Sequence, residues 1–258
     1  MSHNGLVGNN EWIEERRDET LLFRPSPLPP GMVIAVSERG LAPKGASSPT
    51  AFLARRLARA LGLAEIPIVR ATQVHGTAAQ RVTEAPAAGT VFDAGSRDIL
   101  VTDLSRVALV VQTADCVPVV LAGQESVGIA HAGWRGSARN AAGAAVEELS
   151  RLDVSPPRMR AWLGPSIGPC CYEVGGEVAA QFAGEFVRRS CAGRYTLDLP
   201  AVNRSQLEAA GVPAANISAH PACTHCGGEK FASYRRDGAA AGRMITLVAL
   251  LPPATISE

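Results

Sequence analysis

Net charge, long apolar runs, internal repeats and histidine are all scarce or missing in this chain, and each shortage narrows what it can be. Basic and acidic residues nearly cancel, 25 against 24, leaving a formal charge of +1. With no basic run, no field gathers a polyanion, so nucleic acid is not an expected partner. The longest apolar stretch, "VALVVQTADCVPVVLA", is broken by polar residues well short of the roughly 20 needed to cross a bilayer. No membrane association is expected. The opening "MSHNGLVGNNEWIEERRDE" has no apolar core of the kind an export signal carries, which points to the cytoplasm. No segment recurs at a fixed period and no linker divides the chain.

What is present is apolar material, 47% of 258 residues, enough for one sizeable core. Residues 1–30, ending in "RPSPLPP", read as a poorly anchored arm or an edge segment, and residues 31–258 as a single catalytic domain. In "TAFLARRLARALGL" the spacing puts Phe52, Leu53, Leu57 and Leu61 on one helical face, with Gly62 as the stop. Further helices are expected from Ser137 to about Leu152, Gly176 to Phe186 and Pro200 to Ala210. Valine and isoleucine mark strands at "MVIAVSE", "IPIVRATQ", "AQRVT", "DILVTD", "SVGIA", "MRAWLG", "NISAH" and "MITLVALL", and one long strand at "RVALVVQTADCVPVVLA". The sum is an α/β domain with mixed sheets.

Chemistry gathers where strands end. His75 closes "ATQVHG", Cys116 lies in "QTADCVPVV" and His131 in "GIAHAGWRG". Two imidazoles and a thiolate suit Zn²⁺ or copper, and three protein ligands leave a fourth position for water or substrate. Spacing alone leaves these residues equally readable as hydrogen-bonded groups at strand ends. Gly133 and Gly136 flank Trp134 and Arg135 ahead of a helix that Ser137 can cap, a setting in which backbone N–H groups and a guanidinium can hold an anion. In a reducing compartment the six cysteines, Cys116, Cys170, Cys171, Cys191, Cys223 and Cys226, read as thiols or metal ligands. The C-x-x-C of "CTHCGGEKFASYRRDG" is half of a structural zinc site or a redox pair, and no second C-x-x-C accompanies it. Lys230, Arg235 and Arg236 of the same stretch are candidates to neutralise an anionic substrate.

The blocks "QVHG", "DILVT", "TADCVPVVL", "GIAHAGWRG", "GPSIGPCCYEVG", "CTHC" and "FASYRRDGAAAGRM" together resemble those of the bacterial YfiH, or laccase-domain, family, in order from about Ile66 to Leu251. The resemblance implies a layered α/β/β/α fold related to the deamidase domain of cytotoxic necrotising factor. It implies a Zn²⁺ site, alternatively copper, on His75, Cys116 and His131. It also implies phosphorolysis of purine nucleosides (adenosine, inosine, guanosine, methylthioadenosine) with adenosine deamination at the same site. On that reading Arg135, and Arg39 or Arg235, hold phosphate; Gln73 and Ser166 contact base or ribose; Asp115 orients a ligand or takes a proton, unless it is only a hydrogen-bonding brace. The stretch "SERGLAPKGASSPTAFLARRLARALG" departs from the family in being much shorter: Arg39 matches the family's first arginine, while Ala54 and Arg55 stand where an asparagine-arginine pair is usual.

Other functions remain open at this stage. Cys116 and His131 can serve as nucleophile and base of a metal-free cysteine hydrolase or deamidase. A copper-dependent polyphenol oxidase is what the family name implies, but five histidines (His3, His75, His131, His220, His225) cannot furnish a type 1 copper plus a trinuclear cluster. A binding module without turnover is a third reading. Monomer and homodimer are equally compatible with the sequence.

Overall fold

The computed structural model describes residues 11–189 and 193–252; His3, Cys191 and the first ten residues of the expected arm lie outside the described residues. A seven-stranded sheet runs in the order β1 (Glu11–Arg17), β2 (Thr20–Ser26), β3 (Met32–Ser37), β16 (Met244–Leu250), β8 (Ala108–Thr113), β4 (Ile68–Thr72) and β6 (Val91–Ser96). A six-stranded sheet runs β15 (Ile217–Ala219), β11 (Arg160–Leu163), β9 (Val117–Ala122), β10 (Val127–Ala132), β7 (Ile99–Thr102) and β5 (Ala79–Arg81). Both mix parallel and antiparallel pairs. A small third sheet pairs β12 (Glu173–Val174), β14 (Tyr195–Leu197) and β13 (Val187–Arg189).

Period-2 alternation decides the layering. In β16, Ile245, Leu247 and Ala249 face helix α1 (Pro49–Ala60), while Val248 turns to the opposite side. In β9, Val117, Val119 and Leu121 face helices α3 (Ala141–Ser150) and α5 (Leu199–Ala209), while Val120 faces inward beside Trp162. The inward sets of the two sheets, Ile34, Val69, Leu109 and Val248 against Leu100, Val120, Ile129 and Trp162, form one shared core. The result is the expected α/β/β/α stack, α1 outermost on one side and α3 with α5 on the other.

Of the two readings of the first residues, the edge segment holds for residues 11–26: β1 and β2 form an antiparallel hairpin on the sheet edge, anchored by the buried Leu21, Leu22 and Phe23. Four local expectations are corrected. Phe52 is exposed, because the buried stripe of α1 is centred on Leu53, Ala54, Leu57 and Ala58, and position 52 falls about 100° outside it. The helix expected from Ser137 begins earlier and breaks: α2 (Trp134–Ala138) ends before Asn140, which adopts a left-handed φ of 63° ahead of α3. Ser137 is therefore no cap; its hydroxyl accepts from the Asn203 amide at 2.9 Å inside the core. The expected helix from Gly176 to Phe186 shrinks to α4 (Gly176–Ala179) and a separate short turn; Val178 and Ala179 are buried, and Phe182 and Phe186 pack half-buried against the same core.

The long apolar run is two strands rather than one. β8 belongs to the first sheet and β9 to the second, and the chain crosses between them at Ala114, Asp115 and Cys116, with Asp115 at a φ of 85°. This crossing delivers Cys116 to the seam where the sheets meet.

Candidate metal centre

One buried carboxylate arranges two of the three proposed ligands. Asp98, just ahead of β7, accepts backbone hydrogen bonds from Val74 at 3.2 Å, His75 at 3.0 Å and Gly76 at 2.7 Å. These bonds hold the turn in which His75 takes a φ of 60°, an uncommon conformation for a residue with a side chain. The same carboxylate lies 2.9 Å from His131 Nδ1. With Nδ1 donating there, Nε2 presents its lone pair to the other ligands.

The ligating atoms of His75, Cys116 and His131 all lie within 4.8 Å of one another. Bonds of about 2.0–2.3 Å to zinc place tetrahedral donors roughly 3.3–3.8 Å apart, so small adjustments close this set around an ion. Gly133 completes the cradle: a Cβ there would sit 2.8 Å from His75 Cδ2 and 2.9 Å from Cys116 Sγ. Gly136 likewise lets α2 come close to the His75 turn, its missing Cβ lying 3.1 Å from the Gly76 carbonyl. The two glycines of "GWRG" therefore serve the ligands on the neighbouring turn, and the residues present fit a three-coordinate zinc or copper site with one face open.

Charge is organised before any ion arrives. Burial pushes the Cys116 thiol up, but the adjacent His131 and His75 outweigh it and hold the thiol at about 6. Burial pushes His131 down, yet Cys116 and Asp98 overcome this and raise it to about 9. Without metal the pair is a thiolate beside an imidazolium, with His75 completing the cluster. Asp98 is itself raised by burial and lowered more strongly by its bonds from His131 and Gly76, so it stays ionised.

Above the ligands opens a cavity of about 540 Å³ lined by Gln73, Trp134, Arg135, Tyr172, Tyr234, Arg235 and Arg243 among others. Arg135 lies over the Trp134 ring at 4.3 Å, and Arg235 is 5.3 Å from the Tyr172 ring while donating to the Glu173 carbonyl at 2.7 Å. Among the described residues none of Arg135, Arg235 and Arg243 forms an ion pair. Burial keeps the Tyr172 phenol protonated well beyond its ordinary range.

Other candidates fall away or change role. Asp115 lines the cavity and braces it: one carboxylate oxygen accepts from Thr224 Oγ1 at 2.6 Å and the other from the Arg235 backbone at 2.7 Å. Arg39 faces away from the cavity, bound to Glu229 at 2.8 Å, Asp237 at 3.4 Å and the Ala240 carbonyl. Ser166 is buried beneath the site and bridges Cys223 through its backbone. Gln73 lines the cavity, but its side-chain amide exchanges two 2.8 Å bonds with the backbone of Gln112. Lys230 pairs with Glu14, and Arg236 is held by Asp237 and binds carbonyls of Thr224, His225 and Phe231. The anion role expected of the helix start also weakens, because α2 has only 5 residues and little dipole. Asp98, Tyr172 and Arg243 were not anticipated as site residues. The one signal for Asp98 was an acidic residue abutting the wholly buried strand "ILVT".

Comparison with known proteins finds relatives along most of the chain. Residues 50–251 match the family described as multi-copper polyphenol oxidoreductase laccase. The chain is 37% identical over 208 residues to purine nucleoside phosphorylase YlmD of Geobacillus stearothermophilus, covering 75% of this chain and 76% of that one. It is 42% identical over 209 residues to a purine nucleoside phosphorylase of Deinococcus radiodurans, covering 78% of each. It is 43% identical to adenosine deaminase RL5 of an unknown prokaryotic organism over 158 residues, 58% of this chain and 60% of that protein. The crystal structure of Geobacillus YlmD superposes with a TM-score of 0.79 at 32% identity, over 94% of this chain and all of the other.

Proposed function

The chain belongs to the YfiH, or laccase-domain, family of enzymes, and on that premise we propose that it is a zinc-dependent purine nucleoside phosphorylase that also deaminates adenosine. The observation that carries this reading is a single cavity holding the His75, Cys116 and His131 cluster together with three guanidiniums that lack carboxylate partners among the described residues. The family relationship supports purine nucleoside processing; the zinc, the range of adenosine, inosine, guanosine and methylthioadenosine, and the cytoplasmic setting are part of the proposal.

A zinc ion held by the three ligands would supply Lewis-acid chemistry with one position left for water or substrate. The protein's own groups do the rest. Arg135, Arg235 and Arg243 offer fixed positive charge to phosphate, which attacks the ribose C1′ as the base departs. The Trp134 and Tyr172 rings give the purine apolar faces, and the protonated Tyr172 hydroxyl is a hydrogen-bond donor. In deamination water adds at C6 of the purine, the bond to the exocyclic nitrogen breaks, and ammonia leaves with a proton that the water gives up. Asp98 keeps the His131 ring from turning during either reaction.

The decisive assay follows zinc-loaded protein with adenosine. Adenine should form only when phosphate is present, inosine should form with or without it, and Cys116→Ala should lose both. An inert wild-type protein, or a fully active Cys116→Ala variant, overturns the proposal. Replacing Arg135 by Ala should raise the KM for phosphate by roughly 10–100-fold, the equivalent of one charge-assisted hydrogen bond.

A second reading has a specific observation behind it. The Cys116 thiolate, the His131 imidazolium and Asp98 form a nucleophile, proton donor and orienting carboxylate that would suit a metal-free cysteine hydrolase. The two readings part on metal removal: stripping zinc should abolish nucleoside turnover on the first and should expose amide or acyl hydrolysis on the second. Multicopper oxidation has no such support. Of the remaining described histidines, His220 is packed among Trp12, Phe23 and Phe231, and burial lowers it to about 4.

A further inference from the structure

A second cluster of metal-binding side chains lies outside the catalytic cavity. Cys170 and Cys171 sit in the loop between β11 and β12, Cys223 and Cys226 in the turn after β15, and the four sulfurs all lie within 4.8 Å of one another. Cys171 Sγ is 3.1 Å and Cys170 Sγ 3.6 Å from Cys226 Sγ. Sulfurs bound tetrahedrally at about 2.3 Å from zinc stand roughly 3.8 Å apart, so the cluster has nearly the dimensions of a closed tetrathiolate site.

We propose that Cys170, Cys171, Cys223 and Cys226 bind a second zinc ion, a structural one, which clamps the two loops bordering the catalytic cavity.

The surroundings of the sulfurs are built as an ion-binding turn. The backbone amides of Gly168, Cys226 and His225 lie near the Cys223 sulfur, a setting that suits a metal-bound thiolate. The Gly227 N–H closes the turn on the Cys223 carbonyl at 2.8 Å, and the N–H groups of Cys171 and Tyr172 close the other loop on Gly168 at 3.1 and 3.0 Å. A Cβ on Gly168 would lie 3.3 Å from Cys223 Cβ and 3.5 Å from Cys170 Sγ, so the glycine lets the loops meet. Arg236 binds the Thr224 and His225 carbonyls from outside. Both loops also reach the cavity: Tyr172 follows Cys171, and Thr224, between Cys223 and Cys226, donates to Asp115 beside the ligand Cys116. An ion here would fix one wall of the active site without touching substrate. Four sulfur ligands leave no open position, which assigns the ion a structural role.

Zinc counting on the full chain tests this. Protein purified with zinc should carry two ions per chain by native mass spectrometry and elemental analysis. Cys116→Ser should keep one, and the double variant C170S/C226S should keep one. Cobalt in place of zinc should give Cys116→Ser a sulfur-to-cobalt charge-transfer band several times more intense than the single-thiolate band that C170S/C226S retains at Cys116. A single zinc in the wild type that Cys116→Ser loses would overturn the second site while leaving the catalytic centre intact. A single zinc lost only in C170S/C226S would uphold the clamp and remove the basis of the proposed function. Iron in place of zinc, or a disulfide between these cysteines with no second ion, would also overturn the inference. If C170S/C226S does not fold, the wild-type count and the Cys116→Ser cobalt spectrum decide.

Discussion

At Asp98 four donors meet one buried carboxylate: three backbone N–H groups of the Val74 to Gly76 turn and the Nδ1 of His131. Asparagine has nearly the same shape but only one oxygen, and its amide NH₂ cannot accept from these donors. Asp98→Asn should therefore weaken zinc binding by roughly 10–100-fold, the usual loss when a ligand's orienting partner is removed. Competition against a chromophoric chelator reads the change, and an unaltered affinity would remove Asp98 from the centre. The thiolate makes a second prediction at this scale. In metal-stripped protein Cys116 is held at about 6 and His131 at about 9, so between those pH values the pair carries one proton that zinc must displace. Zinc titrations near pH 7.5 should release about one proton per ion at this centre. Affinity should therefore fall about tenfold per pH unit as pH drops from 9 towards 6, and more steeply below about 6, where the thiol also regains its proton. Calorimetry in buffers of different ionisation enthalpy measures the proton count, best in C170S/C226S, where the other cysteine cluster does not contribute.

Helix α1 separates what periodicity can read from what it cannot. Leu57 is fully buried against the first sheet and Phe52 stands in solvent, though both belong to the stripe expected from spacing. Leu57→Ala should cost about 2–5 kcal/mol and Phe52→Ser less than about 0.5 kcal/mol, which denaturant midpoints distinguish directly. Most strands were legible because valine and isoleucine run through them; α5 was expected to start at Pro200, and the structure adds its cap, Asp198, accepting from Ala201 N at 3.0 Å. The β8–β9 break was not. Both halves are apolar, and only pairing to different sheets reveals that Ala114 to Cys116 is a crossing. The edge hairpin was obscured by charges on its exposed strand, and the small third sheet by strands of two or three residues. The three ligands were legible as polar residues at the ends of apolar strands. Their supports were not: Asp98 and Thr224 act through contacts distant in sequence. The cysteine cluster escaped for a similar reason, since the partner of its C-x-x-C is an adjacent pair 52 residues earlier, counted from Cys171 to Cys223.

At the scale of the molecule, the ligands come from three different places: the turn after β4, the crossing between the sheets, and the end of β10. An ion at the centre therefore ties the two sheets together at their seam, and it binds only when both are folded. By mass action, zinc at a hundred times its dissociation constant for this centre should stabilise the folded state by about 2.7 kcal/mol. For a chain of this size that corresponds to a rise in Tm of roughly 5–10 °C. The C170S/C226S background isolates the effect: zinc should raise its Tm, and adding His75→Ala should abolish most of the rise. If zinc stabilises the His75→Ala chain as strongly as its parent, the ion does not bridge the sheets, and the seam is held by apolar packing alone.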